Sequence, residues 1–191
     1  MFGISPLELV IVGVIALFAL GVPIAVLVAV VIFIRRASAA QFPPPAGPPT
    51  VVRELGPNDE PISGGAKWHG NELEVTSDGP GPQRLFEVTL SGIDQSMLTY
   101  RFRIQTDELE GHVYPEMWCS VVGMGEAFSR GLHQKLRGTN NWTTLEIPFY
   151  LKEGQVADLV KLNLVFEGPG TVRLTDIEVL ATPLQGSPGT P

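Results

Sequence analysis

From Phe86 onward the chain alternates between apolar and polar residues. Phe86, Val88 and Leu90 are spaced by Glu87 and Thr89. Leu98, Tyr100, Phe102 and Ile104 are spaced by Thr99, Arg101 and Arg103. Leu145, Ile147, Phe149 and Leu151 follow the same rhythm, as do Val160, Leu162, Leu164 and Phe166. A period of two sends successive side chains to opposite faces, which predicts strands with one buried face. The segments SDGPGP, SGID, GMGE, GTNN, KEGQ and GPG supply turn chemistry between them. No stretch after Lys67 shows helical spacing. About eight strands with regular turns predict an all-β, two-sheet sandwich over residues 67–181. In the last strand Val172 and Leu174 lose the apolar role to Ile177 and Val179, a shift of one residue that predicts a β-bulge at Thr175–Asp176.

The N-terminal pattern is different. After a flank of residues 1–8, the 26 residues from Leu9 to Ile34 carry no charge. About 20 suffice to cross a bilayer, so 9–34 is expected to be a single transmembrane helix in contact with lipid. At 1.5 Å per residue it would be roughly 39 Å long, more than the ~30 Å hydrocarbon core. Tilt or a bend at Gly21–Pro23 follows, because Pro23 removes a backbone hydrogen bond. A cleaved signal peptide fits poorly. No Lys or Arg precedes the apolar run, and the run is longer than a signal's core. Arg35 and Arg36 flank its C-terminal side, which by the positive-inside rule puts the following domain in the cytoplasm; the alternative is a periplasmic or extracellular domain.

The opening MFGISPLELVIVGVIALFALG resembles the N-terminus of the small subunits of the twin-arginine protein translocase, with Glu8 at the family's polar position. That resemblance implies an accessory of protein secretion. It covers about 20 residues; beyond Gly21-Val22-Pro23 the chain stays apolar, where the family continues with a basic amphipathic helix. Glu8 also reads simply as a carboxylate favoured by the dipole at a helix N-terminus.

Residues 35–66 include seven prolines after Ala37, which predicts a proline-rich, disordered linker. Extended, it would span roughly 90 Å at ~3.1 Å per residue. Residues 182–191 read as a disordered tail.

The chain carries 13 Lys/Arg and 20 Asp/Glu; only Glu8, Arg35 and Arg36 precede residue 37, leaving 11 basic and 19 acidic groups and a net charge of −8 beyond it. That balance opposes nucleic-acid binding, which needs cations to displace counterions from phosphate. Cys119 is the only cysteine, so an intrachain disulfide and a cysteine-based zinc site are excluded.

The stretch GTNNWTTLEIPFYLKEGQVADLVKLNLVFEGPGTVRLTDIEVL resembles the closing strands of galactose-binding-like, carbohydrate-binding jelly rolls of bacteria, through Trp142, Pro148, Phe149, Gly170, Asp176 and Ile177. EMWCSVVGMGEAFSRGL also looks like a piece of such domains. The resemblance implies a jelly-roll sandwich and a saccharide ligand. It also implies a structural calcium at the acidic corner. Here Asp176 remains and Thr175 stands where the family has a first Asp, a thin donor set for an ion that takes six to eight oxygens.

Candidate chemistry concentrates in an expected hairpin, residues 112–122 and 127–137 about the turn Gly123–Glu126. Pairing Val122 with Ala127 places Tyr114, Glu116, Trp118, His133 and Lys135 on one face, with Glu116 opposite His133 and Trp118 opposite Gly131. Met117, Cys119, Val121, Phe128 and Leu132 form the other. An aromatic platform beside a carboxylate and an imidazole suits sugar recognition, because rings stack on C–H faces and polar groups hold hydroxyls. Arg130 then falls on the apolar face, so it either pairs with a buried acid or marks a shifted register. Trp68 and Trp142 read as structural. His69, His112 and His133 show no metalloprotease spacing, and no nucleophile or phosphate-loop motif is present, so catalysis is not expected.

Three readings follow. The first is a membrane-anchored, non-catalytic carbohydrate-binding module using Tyr114, Glu116, Trp118 and His133. The second is a protein–protein assembly domain at the membrane. The third is the secretion accessory.

Overall fold

The structure, a computed structural model, describes residues 42–186. The expected membrane span 9–34 lies outside them. Among the described residues no helix is long and apolar enough to cross a membrane.

The alternating segments form strands. In chain order these are β1 (Thr50–Leu55), β2 (Ala66–His69), β3 (Glu72–Ser77), β4 (Gly81–Asp94), β5 (Ser96–Val121), β6 (Gly125–Arg130), β7 (Leu136–Tyr150), β8 (Val156–Phe166) and β9 (Gly170–Pro183). All pair antiparallel. The sheet curls into two layers through β5. Its first half, Ser96–Thr106, lies between β9 and β7, with β3 and β1 end to end along the far edge of β9 and β2 outside β3. Its second half, Val113–Val121, lies between β8 and β6, with β4 outside β8. Register shifts against β7 between Thr106 and Val113, and a left-handed Glu108 (φ 45°), mark where β5 passes from one layer to the other.

The periodic residues fill the space between the layers. Leu98, Tyr100, Phe102, Ile104 and Ile147 from one layer meet Met117, Cys119, Val160, Leu162 and Leu164 from the other, all fully buried in one cluster. Inward-facing apolar side chains on both sheets are what a sandwich requires.

The expected bulge is present. Arg101 pairs with Glu178 and Arg103 with Thr175, so Asp176 and Ile177 together oppose Phe102, and Asp176 takes φ 53°.

Three expectations are corrected. The stretch 35–66 is not wholly a spacer, since β1 pairs with β9, Leu55 is buried, and Pro45 already bridges to Leu184. The prolines flank β1 rather than interrupt it, which an edge strand tolerates. The tail begins later than 182, because β9 continues through Pro183. GTNN is not a turn: Gly138 (φ 69°) sits within β7, which continues from Leu136 to Tyr150.

Candidate functional site

The β5–β6 hairpin turns earlier than its glycines suggested. Val121 pairs with Gly125, and the Met124 amide donates to the Val121 carbonyl at 3.0 Å. Gly123 and Gly125 take φ 73° and 89°, conformations that cost glycine little. The expected pairing of Val122 with Ala127 is therefore displaced by three residues. An odd slip turns β6 over relative to β5. Phe128 and Arg130 leave the apolar face and join Trp118 and Glu116 on the outer one. Trp118 faces Phe128, not Gly131, and Glu116 faces Arg130, not His133. Gly131 sits instead against Pro115 and Ile147, where a Cβ would come within 2.7 Å of the Pro115 ring.

Glu116 is the centre of this outer face, 2% exposed. Its Oε1 accepts from Trp118 Nε1 at 2.8 Å and from Asn163 Nδ2 on β8 at 2.9 Å; its Oε2 accepts from Arg130 Nε at 2.5 Å. Burial opposes the charged form, but the three hydrogen bonds and the guanidinium charge outweigh it and hold the carboxyl below the usual range. Asn163 Oδ1 is buried without a donor, one of two such atoms among the described side chains; the other is the Tyr100 hydroxyl in the core.

Above this polar row stand the rings. Trp118 and Phe128 lie 4.9 Å apart at 41°, and the Arg130 guanidinium rests 4.6 Å from the Phe128 centroid. Phe128 is half exposed. Lys161, the β8 partner of Trp118, pairs with Glu126 at 2.5 Å. Tyr114 shares this face but is closed off, with Lys135 Nζ 5.1 Å over its ring. Lys135 also binds Glu167, which takes His112 Nδ1 at 3.1 Å.

The structure thus joins Glu116 and Trp118, places Tyr114 beside them under Lys135, and leaves His133 out. His133 lies on an exposed single turn, Leu132–Gln134, with its Nε2 2.8 Å from Gln134 Nε2. The expected facing of Glu116 and His133 does not form, because Glu116 pairs with Arg130. Phe128, Arg130 and Asn163 were missed. The misplaced Arg130 was the available signal, because a guanidinium on an apolar face asks for a different register.

At the other candidate site, Asp176 Oδ2 lies 3.7 Å from Arg103 Nη1, and the side chain lines a hollow with Glu54, Asn58, Asp59 and Asn71. Asp59 itself pairs with Arg53 and accepts the Gly56 amide. Among the described residues no three Asp, Glu, His or Cys side chains group so as to hold a metal. Arg103 beside Asp176 and Arg53 beside Asp59 place positive charge where a calcium ion would compete for those two carboxylates. Trp68 is structural, donating to the Asp59 carbonyl at 2.8 Å and packing on Phe86. Cys119 is buried and its thiol is pushed up to about 11 by burial and by Asp158, the opposite of a reactive thiolate.

No protein-family model and no curated protein matches this chain. Among solved structures it is similar to a carbohydrate-binding module described as CBM4 (16% identity, TM-score 0.43, covering 67% of this chain and 84% of that one). It is also similar to Family 16 Carbohydrate Binding Module-2 (9%, 0.40, covering 60% and 79%). A third is TmCBM61, solved in complex with beta-1,4-galactotriose (16%, 0.37, covering 69% and 86%). These neighbours are of the class that the sequence resemblance named; the ligand reading below rests on this chain's own side chains.

Proposed function

We propose that residues 44–186 form a non-catalytic, jelly-roll glycan-binding module, held at a membrane by residues 9–34. The observation that carries this is the outer face of β5 and β6. A half-exposed Phe128 ring beside Trp118 stands over a row in which Arg130, Glu116 and Asn163 are held rigid by one another. The rings offer an apolar platform for a sugar's C–H face. The Arg130 Nη groups offer donors for hydroxyls, since its Nε alone is engaged by Glu116. The face carries little free charge, because Glu116 answers Arg130 and Glu126 answers Lys161. A neutral saccharide suits it better than a uronate. Calorimetric titration of residues 44–186 with neutral oligosaccharides tests the reading. Saturable binding that Phe128→Ala weakens at least about tenfold supports it, and no binding across a glycan array removes it.

A second reading is a protein-assembly surface on the same edge. It is favoured by the exposure of Val122, Met124 and Phe128 along one hairpin. A protein partner lost on Phe128→Ala, without glycan binding, would select it. The side of the membrane separates the two further. Arg35 and Arg36 argue for the cytoplasm, while a glycan is more abundant outside. A C-terminal alkaline phosphatase or green fluorescent reporter decides between them.

A further inference from the structure

Four of the seven exposed large apolar side chains among the described residues, Val122, Met124, Phe128 and Leu132, fall within residues 122–132. The strand at the centre of that stretch, β6, is an edge. It pairs with β5 alone, and none of its six residues is buried.

Which of its backbone groups are open follows from the hairpin. The Gly131 amide donates to the Pro115 carbonyl at 2.9 Å. Hydrogen-bonded pairs recur at every second residue of an antiparallel ladder, so Met117–Ser129 and Cys119–Ala127 are of the same kind. Glu126, Phe128 and Arg130 therefore turn their N–H and C=O groups away from β5, and no described group bonds them. The other edges are blunted. The β4 strand breaks register twice, β7 breaks it three times and contains Pro148, β1 breaks it once, and β2 has only four residues. By contrast β6 keeps an unbroken register and has neither proline nor lysine, which is the kind of edge that accepts a further strand.

This edge is complementary to itself. Among antiparallel registers that match outward groups to outward groups, one uses all three residues. It sets Phe128 opposite Phe128 of a second copy, with Glu126 opposite Arg130 at both ends. Arg130 binds Glu116 through Nε and keeps its Nη groups available, while Glu126 binds Lys161 through Oε1 and keeps Oε2. Across the axis the side chains then run Lys161–Glu126–Arg130–Glu116, alternating in charge. The same register sets Met124 of one copy level with Leu132 of the other, so the exposed apolar groups at the two ends of the strand also meet.

We propose that two copies of this chain join β6 to β6 in this register, about a two-fold axis through Phe128. The outer layers, each ordered β6-β5-β8-β4, merge into one eight-stranded sheet. The Trp118–Phe128 platforms of the two copies become neighbours on one face. The proposal goes beyond the glycan reading and does not depend on it.

The test uses the full chain in a zwitterionic detergent. Phe128→Cys should oxidise to a disulfide-linked dimer, because directly opposed Cα atoms lie about 5.5 Å apart. Glu126→Cys should not, since its like positions are four residues apart along the paired strands, about 14 Å. Cys119 is fully buried and does not compete. Sedimentation should show the natural chain as a dimer. Ala127→Lys points a charge into the edge without touching the Trp118–Phe128 face, and it should raise the dissociation constant at least about tenfold. Equal cross-linking of the two cysteine variants overturns the proposal. So does a monomeric natural chain, or a dimer that Ala127→Lys leaves intact, which would mean association through another segment such as the apolar run 9–34. Saccharide titration is read separately on Ala127→Lys, so the failure of either reading leaves the other standing.

Discussion

Glu116 and Arg130 face each other across the β5–β6 hairpin, with the Glu116 side chain 3% exposed, the Arg130 side chain 41% exposed, and Nε bonded to Oε2. The pair is asymmetric. Arg130 can turn to solvent, but Glu116 cannot, so the structural consequence of breaking the pair falls on the carboxylate.

Replacing Arg130 by Met should therefore destabilise the domain by about 1–3 kcal/mol, because Glu116 keeps only its neutral donors Trp118 and Asn163. Adding Glu116→Gln should recover part of that loss. Urea unfolding of the two single variants and the double variant at neutral pH measures the coupling.

The same carboxyl sets an acid limit. Its folded pKa lies below the ordinary glutamate value near 4.3. Its contribution is fully present above that value and is lost as pH falls through the lower folded pKa. Stability should thus decline as pH drops below about 5, and Glu116→Gln should flatten that part of the profile. Thermal melts between neutral pH and pH 3 are the measurement.

Phe128→Ala removes a half-exposed ring and should leave Tm nearly unchanged while weakening saccharide binding at least about tenfold. Trp118→Ala should cost both binding and stability, since its indole also serves Glu116. His133→Ala should change neither, because that ring lies outside the site. Titration calorimetry with parallel melts separates these outcomes.

A fragment of residues 67–181 should fail to fold cooperatively, whereas residues 44–186 should succeed. The shorter piece lacks β1, which covers the edge of β9 and buries Leu55, and lacks the last residues of β9. Amide dispersion in NMR spectra of the two fragments distinguishes them.

At the β9 bulge, Asp176→Gly should stay within about 0.5 kcal/mol of the natural chain, and Asp176→Val should lose more than about 1 kcal/mol, because a left-handed residue tolerates glycine but not a branched side chain. Chelator should leave Tm unchanged if this corner binds no calcium, and a marked drop would show that it does.

The strands were legible because each buries one face, and burial writes itself into the chain as a period of two. That signal placed Leu98 to Ile104 and Val160 to Phe166, and the displaced apolar pattern after Leu174 marked the bulge at Asp176. It failed at β1, where only Leu55 is buried and the flanking prolines dominated the local pattern. It failed also at β6, where no residue is buried and nothing in the period distinguishes one face from the other.

The all-β architecture, the inward residues of the long strands, the place of Glu116 and Trp118 on a common outer face and the 26-residue apolar run are all written in local patterning. Tertiary structure alone decided what meets that face. The position of a hairpin turn among Val121, Gly123 and Gly125 depends on backbone torsions and cross-strand pairing, and a slip of three residues exchanges His133 for Arg130 and Gly131 for Phe128. Asn163 comes to Glu116 from 47 positions away, through pairing of β5 with β8. Such contacts follow from which strands lie side by side, and local periodicity carries no record of that.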